Sequence, residues 1–67
     1  MEYCLLLGVL NLTTLSEDDV KLIAREHYRF SNPEVVFKSP DFIEVRDSNG
    51  DVLYIESEYA GDECSES

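Results

Sequence analysis

Phe42-Ile43-Glu44-Val45-Arg46-Asp47-Ser48-Asn49-Gly50-Asp51-Val52-Leu53-Tyr54-Ile55-Glu56 decides the fold of this chain. Ile43 and Val45 alternate with Glu44 and Arg46 before the turn, and Leu53 and Ile55 alternate with Tyr54 and Glu56 after it. A period of two puts alternate residues on opposite faces of a strand, so the stretch is a hairpin with one buried and one outward face. Its loop sets the register. A two-residue Asn49-Gly50 turn would pair Val45 with Tyr54 and Ile43 with Glu56, burying a carboxylate. A three-residue loop, Ser48-Asn49-Gly50, pairs Val45 with Leu53 and Ile43 with Ile55. It also gives Gly50 the left-handed position of a type I turn plus bulge. Asp47 then takes the first turn position, where aspartate is favoured.

Upstream, Val35-Val36-Phe37 is a short β-prone run between Pro33 and Pro40. Before it, Leu15-Ser16-Glu17-Asp18-Asp19-Val20 has the parts of a helix start. Ser16 is placed to cap the amide of Asp19, Leu15 and Val20 form a hydrophobic staple, and the three acids meet the positive end of the helix dipole. Val20, Ile23, Ala24 and His27 recur at helical spacing, which predicts a helix from about Glu17 to Arg29, stopped before Ser31-Asn32-Pro33. Tyr3 to Leu10 is apolar without alternation, the pattern of a strand covered on both faces, and this predicts a central position in the sheet. The expected fold is α+β, one helix packed on a small, mostly antiparallel sheet in the order β-α-β-β-β. Residues 1–59 form the single domain and 60–67 an acidic, disordered tail.

At 67 residues the chain buries only about 60% of its unfolded surface, so its stability margin is thin and a homodimer is one way to widen it. Cys4 and Cys64 sit near opposite ends, one in an apolar run and one in a polar tail, which is not a disulfide framework. A reducing, cytoplasmic setting is the expectation. No apolar stretch approaches the roughly 20 residues of a membrane span, and Glu2 with no base before Lys21 does not suit a secretory signal. Asn11-Leu12-Thr13 matches a glycosylation sequon and is expected to be a polar turn.

Charge is the strongest compositional signal. Fifteen carboxylate side chains face five Lys and Arg, a formal net charge of −10. Nucleic acid and anionic membranes would be repelled, since both are bound through Lys and Arg. The acidity is polarised: residues 1–38 hold 6 acids and 4 bases, residues 39–67 hold 9 acids and 1 base. In the hairpin register above, Glu44 and Glu56 share the outer face with Phe42 and Tyr54. Aromatic rings among carboxylates suit a protein-binding face, because rings supply energy at interface centres and the field steers a basic partner. Phe42, Glu44, Asp47, Asp51, Tyr54, Glu56 and Glu58 are the candidate partner-binding residues. A solvated face that keeps the chain soluble accounts for the same acids, although solubility needs a net charge of only about 2 to 8. Lys21, Arg25 and Arg29 follow Glu17 at steps of four, as a solvated face or a second contact surface.

Catalytic groups are sparse. His27 lies on or beside the helix stripe as a packing residue, and Cys4 reads as core. Two distant cysteines and one histidine do not make a zinc site. Asp47-Ser48-Asn49-Gly50-Asp51 lacks the calcium-loop spacing, and three scattered glycines make no phosphate loop. No enzyme activity, cofactor or metal is expected. In length, acidity and lack of catalytic groups the chain resembles small phage-encoded inhibitors of host defence, of the anti-CRISPR and anti-restriction type. That resemblance implies a nuclease or surveillance complex as target. The expected partner is a larger, basic, nucleic-acid-binding protein blocked by an acidic mimic. The alternative is an adaptor or antitoxin-like module that binds through a sheet edge or the helix face.

Overall fold

The computed structural model describes residues 1–58. Strands β1 (Glu2–Leu7), β2 (Glu34–Lys38), β3 (Phe42–Arg46) and β4 (Val52–Ser57) form one sheet, with helix α1 (Glu17–Tyr28) between β1 and β2. The fold is α+β. The sheet order is β1-β4-β3-β2, with β1 parallel to β4 and the other two pairs antiparallel.

The β3–β4 hairpin has the register that alternation selects, Val45 opposite Leu53 and Ile43 opposite Ile55. Gly50 N donates to Asp47 O at 3.1 Å, and Asp47 N donates to Asp51 O at 2.8 Å. Gly50 has φ +95°, and a side chain there would meet nothing within 4 Å. The cost of Gly50→Ala is therefore conformational alone, about 1–2 kcal/mol, the penalty of left-handed backbone for an L-residue. Urea unfolding of the G50A variant should show its midpoint lowered by that amount with an unchanged slope.

Helix α1 begins as predicted, with Ser16 Oγ accepting from Asp19 N at 3.1 Å. Its stop differs. The helix ends at Tyr28, Arg29 takes a left-handed conformation at φ 59°, and Phe30 N donates back to Ala24 O. This reversal turns Phe30 into the core, where it is 3% exposed and packs with Tyr3 and Tyr28. The chain ends its helix here without a glycine, so the sequence carries no signal for it. The sequon Asn11-Leu12-Thr13 does form a turn: Asn11 Oδ1 accepts from Thr13 N at 2.8 Å and starts a single 3-10 turn, Leu12–Thr14, that buries Leu12 completely.

Leu12, Val20, Ala24, Phe30, Ile43, Val45, Leu53 and Ile55 make the buried core between α1 and one sheet face. The predicted central strand is corrected. β1 ends at Leu7 and lies at the sheet edge, and its Tyr3, Leu5 and Leu7 are only half-buried against the core. One helix is about 10 Å wide, whereas four strands spaced at about 4.8 Å are wider, so α1 covers part of the sheet and packs chiefly on β2 and β3. No helix among the described residues is long and apolar enough to cross a membrane. Residues 60–67, expected to form a tail, lie outside the described residues.

Candidate protein-binding face

The face of the sheet away from α1 has no covering layer among the described residues. Register places Glu2, Cys4 and Leu6 of β1 beside Val52, Tyr54 and Glu56 of β4, then Arg46, Glu44 and Phe42 of β3. Glu34 and Phe37 of β2 complete it. Four carboxylates and one guanidinium stand there, a formal net of −3, whereas α1 carries four acids and two bases, a net of −2 with His27 neutral. The two layers thus carry equal numbers of acids, and the open face is the more negative by one charge.

Phe37 was not among the residues singled out from sequence, and a bulge explains why. Strict alternation from Val35, which faces the helix, would turn Phe37 inward as well. The register instead shifts between Val35 and Phe37, leaving Val36 as the extra residue and putting Phe37 opposite Glu44 on the open face. There its ring stacks on Phe42, with centroids 4.9 Å apart and planes 25° apart. Both rings remain accessible, at 47% and 36% exposure. The shift also turns Lys38 toward the helix layer, where its Nζ donates to the carbonyl of Leu15.

The other candidates separate into three groups. Tyr54, Glu44 and Glu56 are half-buried on the open face. Glu44 Oε2 accepts from Arg46 Nε at 2.7 Å, and this hydrogen bond, with the charge behind it, raises the Arg46 pKa. Glu58 is exposed just beyond β4, and Asp51 Oδ1 accepts from the Met1 amino group at 3.1 Å at the hairpin end. Asp47 does not belong to the open face. It is 6% exposed, and its two oxygens accept from Asn32 N at 2.7 Å, Ser48 N at 2.9 Å and Ser31 N at 3.1 Å. Its carboxylate ties the segment after α1 to the hairpin, so it is a structural clamp.

Burial of Asp47 favours its neutral form, but the hydrogen bonds from Asn32, Ser31 and Ser48 outweigh burial and hold its pKa below the usual aspartate value. A carboxylate depressed in the folded state contributes stability above its unfolded pKa of about 3.9, and that contribution is lost as pH falls through the lower folded value. Asp47→Asn turns an amide donor toward backbone N–H groups. The variant is expected to be less stable at neutral pH, and to lose less stability than the parent when acidified from pH ~5 to ~2. Urea midpoints measured across that range check both statements.

Cys4 is also corrected. It lies half-buried on the open face and is disulfide-bonded, while Cys64 lies outside the described residues. Its Sγ comes within 3.3 Å of Glu56 Oε2, but a disulfide sulfur has no proton, so this is a close approach and not a donated hydrogen bond. β1 lies directly beside β4, the last strand among the described residues. The expectation of a reducing compartment loses that premise. His27 is exposed, not packed, and lines a cleft of about 450 Å³ with Leu5, Leu7, Ile23 and Tyr28. No protein-family model, no curated protein and no solved structure matches this chain.

Proposed function

We propose that this protein is an acidic binding inhibitor, whose open sheet face docks on a basic, nucleic-acid-binding surface of a larger protein and excludes the nucleic acid. It acts by occupancy and not by catalysis, in the manner of the phage-encoded anti-defence proteins it resembles. The observation that supports this most is the stacked, accessible Phe37–Phe42 pair set beside Tyr54 among Glu34, Glu44 and Glu56. Exposed rings supply contact energy at low entropic cost, and the surrounding carboxylates give speed and choice of partner. Each would stand where a phosphate stands on the competing ligand.

The test is competition. The chain is immobilised, a partner is captured from host lysate at about 50 mM salt, and duplex DNA or RNA is added to the complex. Nucleic acid should displace the partner, and affinity should fall steeply between ~50 and ~500 mM salt as screening shortens the field. Glu56→Lys should abolish capture, and His27→Ala should leave it intact. Simultaneous binding of nucleic acid and this chain, or affinity indifferent to salt, would favour an adaptor working through a strand edge or the helix instead.

A further inference from the structure

We propose that Cys4 is cross-linked to Cys64 and that this bond makes the folded state conditional on redox state. The inference is independent of the inhibitor function. Cys4 is disulfide-bonded, and the 67-residue sequence holds one other cysteine, Cys64. Reach allows the pair. The described chain runs to Glu58, just past β4, and the parallel register sets Ser57 opposite Leu7 and Tyr54 opposite Cys4. Glu58 therefore lies four residues along and one strand across from Cys4, a distance of ~14 Å. The six residues from Glu58 to Cys64 span up to ~20 Å when extended, and a disulfide bridges Cα atoms about 5.5 Å apart. Cys64 can return to Cys4 with chain to spare.

Charge opposes the other possible bond, between Cys4 of two copies. A disulfide brings the two Cβ atoms to about 4 Å. Cys4 Sγ lies 3.3 Å from Glu56 Oε2 on the open face, so that bond would press two Glu56 carboxylates together on molecules of net charge −10. The bond within one chain carries no such penalty, and it fastens β1 to the segment that follows β4, its partner strand. Its energetic consequence is large. A link from residue 4 to residue 64 closes a ring of about 60 residues, and the loop entropy it removes from the unfolded chain favours folding about 1000-fold in the equilibrium constant. That factor is comparable to the whole stability margin of a domain this small. Where dithiols are abundant the chain should open, and where they are scarce it should stay folded.

Reduction proceeds by exchange with a dithiol, which gives two electrons and two protons to the S–S bond, leaves thiols at Cys4 and Cys64, and closes its own disulfide. Trypsin digestion of the full chain, purified without reductant, should release residues 1–21 joined to residues 47–67, and dithiothreitol should separate them. Iodoacetamide should label neither cysteine of the denatured chain before reduction and both after it. Dithiothreitol should lower the urea midpoint to match a folding constant about 1000-fold smaller. Cys64→Ser should show the same loss without reductant and respond no further to it. Should that variant not fold, the unaltered chain decides: circular dichroism followed across increasing ratios of reduced to oxidised dithiothreitol should fall in step with the appearance of thiols. Two free thiols in the unreduced chain, or a covalent dimer, overturn the pairing. A urea midpoint indifferent to dithiothreitol overturns the redox dependence.

Discussion

Ile55→Ala is expected to leave a large fraction of molecules unfolded near room temperature. Ile55 is fully buried on β4, an inner strand, with Leu5 opposite it on β1 and Ile43 opposite it on β3. Truncation removes three buried carbons from the middle of the core. The sheet cannot close over the hole, because hydrogen-bonded strands on both sides fix the position of β4. The expected loss is about 3–4 kcal/mol. A core of this size supplies only about 3–5 kcal/mol in total, so the loss is comparable to the whole margin. Urea unfolding followed by circular dichroism should show a baseline already sloping in buffer. Val36→Ala, at a bulged residue that is 48% exposed, should stay within about 0.5 kcal/mol of the parent. Both must be compared at one protein concentration, since self-association would add to apparent stability. Equal effects for the two variants would mean that the core is not centred on β4.

Phe42→Ala is expected to weaken partner binding by about 30-fold or more, some 2 kcal/mol, while leaving the fold intact. Phe42 stacks on Phe37 at the open face, so its removal deletes one ring and frees the other to rotate. Both effects reduce the contact energy that the surrounding carboxylates cannot supply themselves. Mutation of a rim carboxylate such as Glu58 should change mainly the association rate and its salt dependence. Surface plasmon resonance against the captured partner separates the two: Phe42→Ala should raise the dissociation rate, and Glu58→Gln should lower the association rate at low salt. If Phe42→Ala leaves the dissociation rate untouched, the open face is not the contact surface.

Much of this fold was legible because local rules agreed. The Ser16 cap, the staple around it and the periodic stripe through Val20 and Ala24 all specify α1 from neighbouring residues alone. The hairpin register followed from avoiding a buried carboxylate, and the alternation of Glu44, Tyr54 and Glu56 with core residues placed them on the outer face. The misread features share a cause. The bulge that exposes Phe37, the left-handed Arg29 that returns Phe30 to the core, and the burial of Asp47 each depend on partners distant in sequence. Asp47 was favourable as a turn residue whichever way its carboxylate pointed. Only the segment arriving from α1, with its amides at Ser31 and Asn32, turns that carboxylate inward.

By itself the sequence determined the helix, the hairpin, its register and the polarity of charge, because those rest on periodicity and on contacts between near neighbours. Tertiary structure alone decided that β1 lies at an edge, that Cys4 is disulfide-bonded and that Phe37 stacks on Phe42. Strand order is set by which surfaces a single helix can cover, and that competition among distant segments leaves no mark within any one of them.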